Sequence, residues 1–181
     1  MPRSSSRAVW FWPVIIVLVL LDIVTKDWAE AALQPRGVPH DVFGETVRLT
    51  LVYNPGAAFG IHLGPWSRWI FLALTVGALF ILARLYFHTR PGERARALAL
   101  GLVTAGAIGN LIDRITSPIG VVDFIDVGVG DWRWPTFNVA DMAVSVGAIV
   151  LAWVLWGDDK RVTEEAPAGP ARALSQAPER R

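Results

Sequence analysis

The sequence contains no cysteine among its 181 residues and only three histidines, His40, His62 and His88. The lack of cysteine excludes disulfides, thiolate zinc sites and a cysteine nucleophile. The histidines are too far apart for metal-ligand spacing. The formal net charge of +1 gives no strongly basic surface for nucleic acid. We therefore predict no metal and no cofactor, and expect the chemistry to come from carboxylates, amides, hydroxyls, lysine or arginine.

Apolar residues are abundant: 53% of the chain is hydrophobic and the mean hydropathy is +0.42. A membrane-spanning helix needs about 20 mostly apolar residues. Residues 14–21 and 69–83 are apolar on all sides, whereas a helix of a soluble bundle would carry a charged stripe. We predict an all-α membrane protein with one four-span domain over 1–162, rather than a soluble bundle. The predicted spans are about 9–29, 67–87, 95–114 and 139–156.

The two ends of the chain carry sequence patterns other than that of a plain membrane span. Residues 163–181 are rich in Ala, Pro, Glu and Arg without periodicity, which predicts a disordered cytoplasmic tail. The basic start, the first apolar run and Ala29-Glu30-Ala31 imitate a cleavable secretory signal. Asp22, Lys26 and Asp27 break that pattern, and three more apolar runs follow. We therefore favour an uncleaved first span.

Basic residues are concentrated in the loop between the second and third spans, which carries Arg84, Arg90, Arg94 and Arg96. The positive-inside rule then places this loop and both termini in the cytoplasm, with loops 30–66 and 115–137 outside. In this topology the unusual polar residues all come to the extracytoplasmic end of the spans. Ionisable groups at membrane depth are costly, so such a cluster is a candidate functional site.

Two polar groups in the spans have helical spacing. Asp22 and Lys26 are four residues apart, which predicts an ion pair that lowers the cost of burying either charge. Asn110, Asp113 and Arg114 also share a helix face. The simplest interpretation of these three residues is helix packing with a terminal Asp–Arg pair. Support of a functional site is a second role for this group and for the Asp22–Lys26 pair.

A turn follows the strand-like run 46–52, because Pro55 and Gly56 mark it. Two interpretations are equally good. The segment is a simple loop, or Asn54 and the Gly56 backbone contact a substrate chain. Glycine would permit such a close backbone approach.

Asp123 lies in the apolar hexapeptide 121–126, which also contains Asp126. If this segment is extended, Asp123 and Asp126 point to opposite faces. The spacing alone does not show which of them belongs to a site.

Asp141 follows Asn138 at the start of the fourth span, and in an arbitrary protein this pattern indicates a helix cap. Its place at the mouth of a membrane span favours a second interpretation. Two carboxylates brought together in a partly desolvated site share one proton. The ionised acid can then activate water while the protonated acid donates to a carbonyl oxygen, which is a route to amide hydrolysis without a metal.

Five motifs, in this order, resemble those of the lipoprotein signal peptidase (signal peptidase II) family. They are Asp22-x-x-x-Lys26, Asn54-Pro-Gly-Ala-Ala-Phe59, Gly106-Ala-Ile-Gly-Asn-Leu-Ile-Asp-Arg114, Val122-Asp-Phe124 and Phe137-Asn-Val-Ala-Asp141. The resemblance covers about residues 10–156. It implies an aspartyl endopeptidase of the bacterial inner membrane with a small extracytoplasmic β-sheet and a mobile outer-loop element, for which 37–65 is the candidate here.

The resemblance also implies a substrate and a set of site residues. The substrate would be a diacylglyceryl-modified prolipoprotein in the lipid membrane, cut just before the lipidated cysteine, and globomycin-type cyclic peptides would inhibit the enzyme. The catalytic pair would be Asp123 and Asp141, in a protein expected to be a monomer. Residues that line or support the site would be Asn54, Gly56, Asn110, Arg114, Asn138, Ala140, Asp22, Lys26 and Asp113.

Two other classes of function compete with a protease. A proton-coupled carrier would use Asp22, Asp113 and Asp141 as a relay, but the inner halves of the spans offer almost nothing ionisable to continue it. A noncatalytic scaffold would use the same residues only as caps and ion pairs. It predicts that removing the charge of Asp123 or Asp141 has no functional effect.

Overall fold

The computed structural model describes residues 6–58, 61–62 and 64–165. It contains four long helices, and each is long and apolar enough to cross a membrane. Of the predicted tail, 163–165 form the end of the last helix, and the rest lies outside the described residues. The helices are α1 (Arg7–Ala32), α2 (Ser67–His88), α3 (Arg94–Thr116) and α4 (Val139–Glu165).

Helix α3 is the central helix, because it packs against the other three. Small residues allow this close packing: a Cβ atom at Gly101 would lie 3.1 Å from the Phe11 carbonyl oxygen on α1. A Cβ atom at Gly109 would lie 3.1 Å from the Ala140 Cβ on α4. Stripes of small residues are the usual means of close helix approach in membranes.

Large apolar side chains on α1, α2 and α4 face outward. Val17, Leu74 and Ile149 are examples with more than half of their surface exposed. Such residues on every outer helix suit contact with lipid rather than water. This pattern, together with the helix lengths, agrees with a multi-pass membrane protein.

A small antiparallel sheet covers one end of the helices. Its strand order is β1-β2-β5-β6, and a separate two-stranded hairpin, β3-β4, follows the turn at Gly56. The predicted fold class, four membrane-length helices with a small sheet, is confirmed. The strands are β1 (His40–Phe43), β2 (Val47–Asn54), β3 (Ala57–Ala58), β4 (Ile61–His62), β5 (Val121–Val129) and β6 (Trp132–Arg133).

Two apolar clusters hold these layers together. One joins the helices around Phe11, Leu82 and Leu100. The other packs the sheet onto the end of α1 and contains Ala29, Leu33, Leu51, Val122 and Phe124. The second cluster brings β5 against the end of α1, one turn beyond Lys26.

Candidate active site

The two acids Asp123 and Asp141 line one cavity of about 580 Å³. Asp123 lies in β5, opposite Val52 of β2, and is almost fully buried. Asp141 lies in the first turn of α4. The structure therefore brings together the two carboxylates that come from separate predicted motifs.

Main-chain pairing explains why the start of α4 lies beside Asp123. The Phe137 N–H donates to the Ile125 carbonyl oxygen at 3.0 Å, and the Ile125 N–H donates back to the Phe137 oxygen at 2.8 Å. This bridge holds the segment before α4 against β5. The next residue, Asn138, consequently reaches Asp123 with its side chain.

Two buried amides connect the acids. The Asn138 Nδ2 group lies 2.8 Å from Asp123 Oδ1 and 3.1 Å from Asn110 Oδ1. The Asn110 Nδ2 group donates in turn to Asp141 Oδ1 at 2.7 Å. Each carboxylate therefore accepts a hydrogen bond from a side-chain amide, and the two amides contact each other. This chain fixes the orientation of both acids.

Burial and charge change the proton affinity of Asp123. Removal from water, followed in importance by repulsion from the neighbouring Asp141, raises the pKa of Asp123 from 3.8 to about 7. Hydrogen bonds from Asn54 and Asn138 and the charge of Lys26 lower the pKa and oppose this rise. Asp123 can therefore carry a proton close to neutral pH while remaining able to release it.

The ion pair expected from the spacing of Asp22 and Lys26 is present, with Lys26 Nζ 2.7 Å from Asp22 Oδ2. Lys26 also lies 2.9 Å from Asp113 Oδ2. We expected Asp113 to pair with Arg114. Consecutive helical residues point in different directions, and the ion pair found for Asp113 is with Lys26.

Arg114 lines the cavity, and its Nη1 donates to the Asn110 carbonyl oxygen at 3.0 Å. Its guanidinium also lies 6.0 Å from the centre of the Phe71 ring. Ala140 contributes its backbone N–H, which donates to Asp22 Oδ1 at 2.8 Å. Arg114 therefore lies in the wall of the cavity that holds the acid pair, whereas Ala140 links Asp22 on α1 to the residue before Asp141.

Gly56 has a positive φ of 110°, and a Cβ atom there would lie 2.9 Å from the Ser67 carbonyl carbon at the start of α2. The close approach that glycine permits here is therefore to a helix of the same chain. Asn54, two residues earlier, accepts the Gly56 N–H at 3.0 Å and lines the cavity. Its side chain also bonds Asp123.

Asp126, the alternative acid of the hexapeptide, has other partners. Its Oδ1 lies 2.7 Å from Arg133 Nη2, and its Oδ2 accepts the Thr50 hydroxyl at 3.2 Å. These contacts engage Asp126 within the sheet. It is not among the residues that line the cavity.

Several lining residues were not predicted from the sequence. Ser145 is not one of them, because its spacing of four residues from Asp141 predicts that it shares the helix face of that acid, and it does line the cavity. The unpredicted lining residues are mostly apolar, and Phe137 alone among them belongs to one of the five motifs. They are Val121, Trp134, Pro135, Thr136, Phe137, Met142, Val144 and Val146.

Within residues 6–58, 61–62 and 64–165, no group of three or more His, Cys, Asp or Glu side chains is placed to hold a metal ion. The arrangement offers instead two oriented carboxyl groups of unlike surroundings, which is the equipment for general acid–base chemistry.

Comparison with known proteins identifies the family. The family model described as Signal peptidase (SPase) II matches residues 14–156. A lipoprotein signal peptidase of Hydrogenovibrio crunogenus is 41% identical over 156 residues, covering 83% of this chain and 87% of the relative. One of Cellvibrio japonicus is 40% identical over 170 residues, covering 92% and 98%.

Solved structures agree with this match. Two bacterial membrane enzymes, determined by the in meso method at 2.3 and 1.9 Å resolution, have TM-scores of 0.72 and 0.68 at 29% and 31% identity. They cover 86% and 78% of this chain, and 90% and 89% of their own chains are matched. The resemblance read from the five motifs is confirmed. The chain belongs to the signal peptidase II family and is a multi-pass membrane protease of the aspartic type.

Proposed function

We propose that this protein removes the signal peptide from diacylglyceryl-modified prolipoproteins by cutting just before the lipidated cysteine, with Asp123 and Asp141 as its catalytic pair. It acts in the bacterial inner membrane, with both termini in the cytoplasm and the site near the extracytoplasmic face. The names of the relatives support the lipoprotein substrate. The basic loop between α2 and α3 supports the orientation.

One observation carries the proposed mechanism: Asp123 and Asp141 line the same cavity while each is held by a different amide. Two acids that only capped or anchored their own elements would not need a shared cavity. The arrangement instead leaves space beside both acids for a peptide bond and a water molecule.

The chemistry follows from the unlike surroundings of the acids. Because the pKa of Asp123 is raised to about 7, Asp123 is the acid that holds the shared proton. Asp141, the other acid of the pair, accepts hydrogen bonds from the Asn110 amide and the Asn138 N–H, which orient its carboxyl group beside the cavity. Asp141 removes a proton from water as it attacks the peptide carbonyl carbon, while Asp123 protonates the carbonyl oxygen. The carbon–nitrogen bond then breaks as Asp141 gives its proton to the leaving nitrogen, while a hydroxyl of the tetrahedral intermediate re-forms the carbonyl and returns a proton to Asp123.

The cavity walls suit a substrate that is apolar except at the bond to be cut. Val121, Phe137, Met142 and Val146 surround the polar groups. A lipid-anchored chain can therefore place apolar groups against the walls and its peptide bond between the acids.

A cleavage assay with diacylglyceryl-modified precursor in membranes tests this proposal. Asp123→Asn and Asp141→Asn should each lower processing by about 10³-fold or more while the protein still inserts. Asp126→Asn, in the same strand as Asp123, and the exposed Asp131→Asn are matched controls that should retain most activity.

The outcomes separate the alternatives. If both catalytic substitutions leave processing intact, the residues act as a scaffold and the proposed mechanism is wrong. If Asp126→Asn alone is inactive, the loop acid has been assigned to the wrong residue. A chelator should have no effect, and a globomycin-type peptide should inhibit; inhibition by the chelator would point to a metal.

A further inference from the structure

We propose that Lys26 is a positioning residue that orients both catalytic acids through one buried set of contacts, formed by Asp22, Lys26, Asn110 and Asp113. This inference rests on the proposed function of Asp123 and Asp141. In this inference, a lysine on α1 aligns the acid on β5 and the acid on α4.

All the hydrogen-bonding capacity of the Lys26 ammonium group is directed at this set. An ammonium has three donors and no acceptor. Lys26 Nζ lies 2.7 Å from Asp22 Oδ2, 2.9 Å from Asp113 Oδ2 and 3.2 Å from Asn110 Oδ1. The residue is only 3% exposed, so water has little access to replace a lost partner.

The first route from Lys26 to the acids passes through the Asn110 side chain. A cation faces the amide oxygen and not the amide nitrogen, because the nitrogen is itself a donor. Lys26 therefore holds Oδ1 of Asn110 toward itself, which directs Nδ2 to Asp141 Oδ1 at 2.7 Å. With the amide reversed, the oxygen of Asn110 would face the carboxylate and repel it.

The second route passes through two backbone amides. Asp22 Oδ1 accepts the N–H of Ala140, the residue before Asp141, at 2.8 Å. Asp113 Oδ2 accepts the N–H of Val122, the residue before Asp123, at 3.1 Å. The two carboxylates paired with Lys26 thus each hold the backbone N–H of the residue that precedes a catalytic acid.

This geometry joins three helices and a strand at one cation. Asp22 and Lys26 come from α1, Asp113 from α3, and the two bound amides from α4 and β5. A helix-stabilising ion pair would need only Asp22 and Lys26. The further contacts end beside Asp123 and Asp141, and this distinguishes positioning from simple neutralisation of a buried charge.

The test measures kcat and KM of the purified full-length protein on diacylglyceryl-modified precursor. Lys26→Met should lower kcat by about 10²-fold, since small misplacements of catalytic groups have effects of this size, and should change KM little. Asp22→Asn/Lys26→Met removes both charges and keeps a side-chain oxygen for the Ala140 N–H. It should fold like the wild type and still show the low kcat.

A double-mutant cycle separates positioning from a general loss of stability. If Lys26 acts through Asn110, Lys26→Met should have a much smaller effect on kcat in an Asn110→Ala background than in the wild type. Arg133→Met, which removes the cation of the sheet ion pair, is the matched control and should keep its kcat.

Two results would overturn the inference: a kcat of the charge-matched double variant equal to that of the wild type, or fully additive effects of Lys26→Met and Asn110→Ala. Neither result touches the proposed function. That function fails instead if Asp123→Asn and Asp141→Asn remain active in the same assay.

Discussion

Asn138 and Asp141 bond each other reciprocally at the start of α4. Asn138 Oδ1 accepts the Asp141 N–H at 2.9 Å, and Asp141 Oδ2 accepts the Asn138 N–H at 3.2 Å. This is a capping box. The remaining oxygen of Asp141 accepts the Asn110 amide, and the Asn138 amide contacts Asp123. The same two side chains therefore start a helix and orient two acids.

The two roles of Asn138 can be separated by substitution. Asn138→Ser keeps a side-chain oxygen for the Asp141 N–H but has no amide to give to Asp123. We expect the thermal unfolding temperature to change little and kcat to fall by about 10²-fold, as when one oriented donor is lost from an active site. Unfolding in detergent micelles and cleavage of lipidated precursor provide the two measurements.

Asn138→Ala serves as the comparison, because it loses the cap as well as the amide. It should cost about 1 kcal/mol of stability in addition to the loss in kcat. A serine variant with the kcat of the wild type would show that the amide contact with Asp123 is not used.

The raised pKa of Asp123 predicts the alkaline side of the pH profile. Asp123 must be protonated to donate to the carbonyl oxygen, so kcat/KM, which reports the pKa values of the free enzyme, should fall as the pH rises through about 7. The Asn54 hydrogen bond favours the charged form and lowers this pKa. Asn54→Ala should therefore raise the pKa and move the alkaline limb to higher pH.

The pKa of Asp123 also depends on Asp141, Lys26 and Asn138. They are unchanged in the Asn54 variant, so the direction of the shift reports the lost hydrogen bond. Rates measured between pH 5 and 9 provide the check. A limb that moves to lower pH would contradict the assignment of Asp123 as the acid.

Close packing of α3 on α4 predicts that alanine in place of Gly106 destabilises the protein, whereas alanine in place of Gly77 does not. A Cβ atom at Gly106 would overlap the Ala140 carbonyl oxygen and lie 2.6 Å from Val144 Cγ2. Gly106→Ala should destabilise the protein by about 1–3 kcal/mol, as overpacking does, and lower kcat because Ala140 precedes Asp141.

Gly77→Ala is the matched control, since nothing lies within 4 Å of a Cβ atom at this position in α2. It should leave activity unchanged and stabilise the helix slightly. Thermal unfolding of both variants in the same detergent tests the contrast. Equal effects of the two substitutions would contradict a tight contact between α3 and α4 at Gly106.

The helices could be predicted from the sequence because bilayer thickness demands long apolar runs, and those runs are visible without any tertiary information. Strand β5 was harder to recognise. Val121, Val122, Asp123 and Phe124 are all buried, so the alternation that indicates a half-exposed strand is missing. Both faces of this strand are covered, and the sequence alone does not identify the elements that cover them.

The candidate site was predictable where its residues are polar in an apolar setting. Asp141 illustrates the limit, because the sequence offers a helix cap and a catalytic acid as competing interpretations, whereas the structure has the cap and also places Asp141 in the same cavity as Asp123. Met142 and Val146 also line the cavity, but an apolar residue in a membrane span carries no signal of its own. The pairing of Lys26 with Asp113 depends on the packing of α1 against α3, which spacing along the chain does not encode.

The ion pair within α1 has a consequence for how the protein is made. Helix α1 is synthesised and enters the bilayer before α3 and α4 exist to receive its polar groups. Because Asp22 and Lys26 lie 2.7 Å apart within that one helix, each charge brings its own counterion into the lipid. The two charges therefore compensate each other while the span is alone in the lipid, and their remaining hydrogen-bonding capacity is satisfied when the later helices pack against α1.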